Sequence, residues 1–157
     1  MSALKNTLQW LLEWITILLM IGLTTIVVIA VVARLMGESF SWYDEVAAIG
    51  LAWVTYYGAA LAALKRRHIG FDSVLLAMPA GVRVAVAVVG EVIILAFFAL
   101  LAWAGMEVLA VLEGDTLVSL DWVPIQFTQS VIPIGAALFI ICQLVSMPDY
   151  LLSLIHI

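Results

Sequence analysis

Four long apolar stretches account for most of this sequence, and they constrain its fold more than any other feature. Each is close to or longer than the ~20 residues that an α-helix needs to cross the ~30 Å hydrocarbon core of a bilayer. Charged residues make up 11% of the chain, against roughly 25% in soluble domains. The sequence therefore predicts an all-α integral membrane protein, a single four-helix domain over residues 1–157 with transmembrane helices at about 15–33, 46–64, 84–109 and 123–145.

Two further segments, residues 3–14 and 69–78, are predicted to form short interfacial amphipathic helices. In the first of them Lys5, Gln9 and Glu13 recur every four residues, so they share one face of a helix. A helix with one polar face is typical of the membrane–water interface. The same pattern also fits the polar first turns of a tilted span, and the sequence leaves both interpretations open.

Two local signals concern the geometry of the predicted spans: a helix cap at the start of the second span and a proline within the fourth. Ser41 or Asp44 is placed to cap the second span, and Glu45 falls in its first turn. Pro133 lies near the middle of the predicted fourth span. Because proline has no backbone N–H, the carbonyl of Gln129 is expected to lack its helical donor there.

Basic residues are concentrated on one side of the predicted spans. Arg34 lies on the other side, and the remaining five of the six Lys and Arg residues are Lys5, Lys65, Arg66, Arg67 and Arg83. The positive-inside rule assigns this side to the cytoplasm, so both termini are predicted inside, an N-in/C-in topology. The net charge of -5 argues against a nucleic-acid partner, because nucleic-acid binding needs clustered cations. The lipid bilayer is the partner that the composition implies.

The chain offers few residues for chemistry. Cys142 is the single cysteine, which excludes an intramolecular disulfide and a Cys-x-x-Cys redox pair. His68 and Asp72 are four residues apart, but two ligands make a weak metal site, so no metal is expected. Glu91 is predicted inside the third span, where an ionisable group is a functional candidate. Its structural alternatives are protonation, or a partner such as Arg83 or a polar group of another subunit.

Two surfaces are candidates for contact with other proteins. Small residues recur along the second span and polar residues share a face of the fourth, and both patterns favour packing against protein rather than lipid. The predicted subunit-interface residues are Ala48, Ala52, Trp53, Thr55, Gly58, Ala59, Gln126, Gln129, Ser130 and Pro133. The predicted outer docking residues are Glu38, Asp44, Glu113, Asp115 and Asp121. An aromatic belt with solvated acidic loops is the alternative interpretation of the outer set.

The order of several short motifs carries a resemblance to a known family. The motifs are Arg34 at the end of the first span, "SWYDE" with Trp42 and Glu45, "LAWVTYYGAALA", "RRHIGFD" with His68 and Asp72, and "VPIQFTQSVIPIGAALF". In this order and spacing, over about residues 10–146, the chain resembles the DctQ-like small membrane subunit of TRAP (tripartite ATP-independent periplasmic) transporters. Leu35 and Met36 depart from the family pattern, in which an aromatic residue commonly follows the arginine.

The resemblance implies a scaffold subunit of a three-part importer in the bacterial inner membrane. A periplasmic binding protein would capture an organic anion, and a large elevator-type membrane subunit would carry the substrate and sodium sites. This chain would then hold no substrate-binding residue, no cofactor and no enzymatic activity. The resemblance gives structural roles to Arg34, Trp42, Glu45, His68 and Asp72, and it gives Glu91 no role.

Two alternatives remain open from the sequence. The first is an autonomous small proton-coupled transporter in which Glu13 or Glu91 is the essential membrane carboxylate. The second is a four-helix membrane enzyme, although the cations cluster in one loop instead of reaching into the helices. The sequence does not identify the transported substrate.

Overall fold

The computed structural model describes residues 2–65 and 79–156, and the elements in these two ranges are helical. The helices are α1 (Ser2–Leu35), α2 (Tyr43–Leu64), α3 (Ala80–Val111), α4 (Ile125–Gln129) and α5 (Val131–His156). Four helical segments are long and apolar enough to cross a membrane within the described ranges, so the predicted fold class is confirmed. The predicted helix at 69–78 lies outside the described residues, as do His68 and Asp72.

The first helix differs from its sequence-based description. Residues 3–14 do not form a separate interfacial helix, because α1 is continuous over 34 residues from Ser2 to Leu35. The polar residues of its first turns make local contacts instead of ending the helix: Gln9 Nε2 donates a hydrogen bond to Glu13 Oε1 at 2.9 Å. Of the two interpretations left open by the sequence, the first turns of a long span fit this geometry.

The predicted fourth span is divided into two helices. The short helix α4 ends at Gln129, and α5 begins at Val131 after a turn at Ser130. Pro133 is therefore in the first turn of α5, where a backbone N–H is not needed, and the prediction that it lies in mid-helix is wrong. The helix also continues past the predicted end at residue 145, through Pro148, to His156.

The four long helices form a row in the order α1, α2, α5, α3. The loop after α3 returns the chain so that α5 lies between α2 and α3, and α2 and α5 run parallel to each other. The buried core is centred on the contact of α2 with α5, and α1 adds one leucine to it. Its members are Leu12, Ala60, Ala63, Leu64, Phe139 and Cys142. Two of the six are alanines of α2, and their small side chains let the neighbouring helices approach closely.

Two glycines mark the closest approaches of α5 to its neighbours. A Cβ placed on Gly135 would lie 2.7 Å from the Cβ of Tyr56 on α2. A Cβ on Gly105 of α3 would lie 3.0 Å from Ile132 and Pro133 at the start of α5. The absence of a side chain at these two positions therefore sets the spacing of α5 on both sides. Below, the end of the row that carries Lys65 and Arg83 is called the basic end, and the end that carries loops 36–42 and 112–124 the acidic end.

Candidate functional site

A carboxylate in the first turn of α2 holds the loop at the acidic end. Glu45 Oε1 accepts a hydrogen bond from the backbone N–H of Val118 at 3.2 Å, and its Oε2 accepts one from that of Ser119 at 2.9 Å. The Ser119 hydroxyl donates to the carbonyl of Ser41 at 3.3 Å. Two backbone donors on one carboxylate fix the loop relative to α2, and we call this arrangement the Glu45 clasp.

The clasp and the start of α2 correct one sequence prediction. Helix α2 begins at Tyr43, and its N-cap is Trp42, which makes no side-chain capping hydrogen bond with the described residues. Ser41 and Asp44 therefore do not cap the helix as expected. Ser41 instead offers its backbone carbonyl to the clasped loop.

The clasped loop exposes apolar side chains between acidic ones. All five predicted docking residues, Glu38, Asp44, Glu113, Asp115 and Asp121, are exposed. Val118 is 95% exposed and Trp122 is 78% exposed on the same loop. Trp42 stacks on Phe40 with ring centroids 5.5 Å apart. The acidic end is thus an exposed surface of carboxylates and apolar groups, and Val118 is a member that the sequence pattern did not reveal.

Arg34 lies at the same end, where the sequence placed it. Its guanidinium is 5.8 Å from the ring centroid of Tyr43, within the range of a cation–π contact. The contact joins the end of α1 to the start of α2.

The predicted interface residues of α2 divide between an open face and the interior. Ala48 and Thr55 are exposed, whereas Ala52, Gly58 and Ala59 are half-buried. A Cβ added to Gly58 would have no neighbour within 4 Å in the described part of the chain. The face with Ala48, Thr55 and Gly58, which we call the open α2 face, therefore carries small side chains beside one large one, the 59% exposed Leu51, and is not covered by described residues.

The other predicted interface residues take part in packing within the chain. The indole N–H of Trp53 donates to the carbonyl of Thr128 at 3.0 Å, which ties α2 to α4. Gln126 Nε2 donates to the carbonyl of Leu109 at 2.9 Å, which ties α4 to α3. Pro133 is buried.

Ser130 and Gln129, the last two residues of the predicted interface set, are half-buried. The Ser130 hydroxyl donates to the carbonyl of Phe127 at 2.7 Å, a local contact at the turn between α4 and α5. Polar groups of the predicted fourth span thus find their hydrogen-bonding partners inside the chain, at this turn and in the two hydrogen bonds of α4 with α2 and α3.

Glu91 has a hydrogen-bonding partner on the neighbouring helix. Gln143 Nε2 of α5 donates to Glu91 Oε2 at 2.6 Å, and both side chains are 4% exposed. The sequence had suggested Arg83 or a polar group of another subunit as the partner of Glu91. Gln143 itself was overlooked, although an amide inside an apolar span was the signal that identifies it.

Two more polar contacts join neighbouring helices in the half of the row toward the basic end. The buried Ser146 hydroxyl of α5 donates to the carbonyl of Ala63 on α2 at 3.1 Å. Lys65 Nζ lies 2.5 Å from Glu13 Oε1, which joins α2 to α1. Together with the Glu91–Gln143 pair, these contacts link every adjacent pair of helices in the row.

The described residues provide no arrangement suited to metal chemistry. No group of three His, Cys, Asp or Glu side chains able to hold a metal ion occurs among them. Cys142 is a free, buried thiol. The polar side chains that pair across elements contact other helices or loops of the same chain, so their geometry is that of structural ties.

Comparison with protein families identifies the chain. The model for "Tripartite ATP-independent periplasmic transporters, DctQ component" matches residues 23–149 of the 157. The chain belongs to the DctQ family. The matched region begins inside α1 and ends inside α5, so it includes the Glu45 clasp, the open α2 face and the Glu91–Gln143 pair. A search of curated proteins found no match.

Membership of the DctQ family makes this chain a component of a TRAP transporter, as the motif resemblance predicted. The DctQ family is a family of transporter components and not an enzyme family. The four apolar helices agree with a multi-pass membrane protein.

Proposed function

We propose that this DctQ chain is the small scaffold subunit of a TRAP-type secondary importer in the bacterial inner membrane. In this proposal it packs against a large elevator-type membrane subunit. That subunit takes up an organic acid together with sodium, and a periplasmic binding protein delivers the substrate. The substrate and sodium sites lie on the large subunit, and this chain supplies a fixed frame.

The observation that carries the proposal is the use of polar side chains within the membrane helices. Glu91 binds Gln143, Trp53 binds the carbonyl of Thr128, and Gln126 binds that of Leu109. Each contact joins two helices of the same chain. A carrier needs polar groups that exchange partners during transport, whereas a frame needs groups that stay paired.

The same observation bears on the alternative of an autonomous proton-coupled transporter. The two glutamates that this alternative requires are Glu13 and Glu91. Glu13 contacts Lys65 and Gln9, and Glu91 contacts Gln143. These contacts favour structural roles for both carboxylates.

The open α2 face is the proposed contact with the large subunit. It carries Ala48, Thr55 and Gly58 around one large residue, Leu51, whereas the exposed faces of α1, α3 and α5 carry mostly large apolar residues suited to lipid. Small side chains allow the backbone of a second helix to approach closely, which is the usual basis of helix association in membranes. The neighbouring Ala52 and Ala59 are half-buried and would form the edge of this contact.

The acidic end is the proposed contact with the periplasmic binding protein. Its exposed carboxylates would attract a partner with a basic surface and raise the association rate. Val118 and Trp122, 95% and 78% exposed, would supply apolar contact area. The Glu45 clasp would hold Val118 and the neighbouring Ser119 in a fixed position.

Co-purification with the large subunit tests the proposed interface on α2. Gly58→Leu adds bulk to the open α2 face at a position where an added Cβ meets no atom within 4 Å in the described chain. We expect the variant to fold alone but to lose the large subunit during affinity purification. Val89→Leu on α3 is the matched control, because Val89 is 58% exposed on a face of large residues. A normal yield of complex from Gly58→Leu would refute this interface.

Ala59→Leu is expected to impair assembly too, but it is less specific, because Ala59 also packs against the core.

A further inference from the structure

Helix α3 has an unusual sequence for a helix that must find one position against its neighbour. Its own side chains are apolar on the exposed side, as at Val86, Val89 and Phe97, and on the buried side, as at Ala87. Apolar contacts of similar size distinguish poorly between alternative rotations and axial positions of such a helix. In a bilayer the hydrophobic effect does not favour one of these positions either, because lipid tails are as apolar as the side chains.

Three residues of α3 that contact α5, Glu91, Phe98 and Gly105, are seven positions apart along α3. Gln143 donates a hydrogen bond to Glu91 at 2.6 Å. Phe98 stacks on Phe139 with centroids 3.6 Å apart and ring planes inclined by 8°. Gly105 lies against Ile132 and Pro133. A seven-residue spacing is that of the contact seam between two helices packed at a shallow angle.

The hydrogen bond between Gln143 and Glu91 responds to an axial slide of α3 along α5 differently from the two apolar contacts. If α3 moved one turn toward the acidic end, Glu91 would come opposite the level of Phe139, which offers no hydrogen bond. The ring stack and the glycine contact would also be lost, but the apolar groups that they leave behind need no hydrogen-bonding partner. A buried carboxyl that loses its amide partner cannot form a hydrogen bond with water instead, because the hydrocarbon core contains none. In coiled coils, one buried polar residue in an apolar seam fixes the register in this way.

We infer that the Glu91–Gln143 pair fixes the axial register of α3 on α5. Glu91 is in this account a positioning residue for the helix row. This inference goes beyond the proposed function and does not depend on it, because it concerns the packing of the chain itself.

Distances between spin labels on the full-length chain in lipid nanodiscs test the inference. The labels are attached at Val86→Cys on α3 and Ile134→Cys on α5, in a Cys142→Ala background. Both sites are exposed, at 45% and 47%, so the labels stay outside the seam. They lie toward opposite ends of the row, so a slide of one turn changes their separation by about 5 Å. The parent chain is expected to give one distance.

The decisive variant replaces the polar pair by an apolar one. Glu91→Leu with Gln143→Leu is expected to add a second distance, shifted by about 5 Å, while helix content is retained. Glu91→Gln is expected to keep the parent distance, because two amides also form a hydrogen bond. A single parent distance in the Leu pair would overturn the inference, and so would a second distance in Glu91→Gln.

An exchanged pair keeps the test decisive if the Leu pair does not fold. Glu91→Gln with Gln143→Glu places the same two groups on opposite helices. The parent distance in this variant would support the inference, and a second distance would overturn it.

Discussion

Glu45 and Ser119 are 74 positions apart in the chain, yet the carboxylate of the first accepts a hydrogen bond from the backbone N–H of the second at 2.9 Å. The same carboxylate accepts from Val118. A first-turn glutamate is expected to interact with its own helix N-terminus. Here it reaches across to the loop between α3 and α4 and ties this loop to the start of α2.

Removal of this carboxylate is expected to release the loop. In Glu45→Ala, the backbone amides of Val118 and Ser119 lose their acceptor, so their hydrogen exchange should become faster. Glu45→Gln keeps one acceptor oxygen and should give an intermediate effect. Hydrogen exchange with mass spectrometry over residues 112–124 measures the change.

Asp44→Ala is the matched control for the clasp, because Asp44 is an exposed neighbour on the same turn. It should leave exchange in the loop unchanged. Equal exchange in Glu45→Ala and in the unaltered chain would show that the clasp does not hold the loop.

Close packing of α5 on α2 makes Gly135 sensitive to a single methyl group. In Gly135→Ala the new Cβ would lie 2.7 Å from the Cβ of Tyr56, so the helices must separate. We expect a loss of about 1–3 kcal/mol in the free energy of unfolding, measured by denaturant titration in mixed micelles.

Gly58→Ala is the matched control for this prediction. The new methyl group at Gly58 meets no atom within 4 Å in the described chain. Its stability should equal or exceed that of the parent, because alanine favours the helix by about 1 kcal/mol. Similar effects from both substitutions would contradict the assigned packing.

The indole of Trp53 provides the tie between α2 and α4. Trp53→Phe keeps an aromatic ring near Phe127 but removes the N–H that binds the carbonyl of Thr128. Hydrogen bonds between membrane helices contribute ~0.6 kcal/mol on average and at most ~1.7, and we expect a loss in this range. Trp103→Phe should have no comparable effect, because Trp103 is 63% exposed on α3. A larger loss from Trp103→Phe would argue against the tie.

Hydropathy predicted the number and approximate position of the long helices because burial in a bilayer depends on composition over some twenty residues. It did not predict where α1 begins or how the fourth span divides. The local sequence does not tell whether a proline lies near a helix start or in mid-helix. The short helix α4 before the turn is tied to α2 and α3 by the contacts of Trp53 and Gln126. Such contacts join residues that are distant in sequence.

Partners across helices were the least predictable part of the candidate site. Hydropathy placed Glu91 inside a span and periodicity identified the small face of α2, but neither pattern gives the neighbour that a side chain meets. Gln143 became the partner of Glu91 because the chain places α5 between α2 and α3. The same order of helices buries Pro133 and leaves Ala48 and Thr55 exposed.

Uptake by reconstituted liposomes tests the central claim most directly. The large subunit and the binding protein are assayed with a sodium gradient, with and without this chain, and the chain is also assayed alone with a proton gradient. We predict uptake only when all three proteins are present. Sodium-driven uptake at the full rate without this chain, or saturable proton-coupled flux by this chain alone, would contradict its role as an obligatory scaffold.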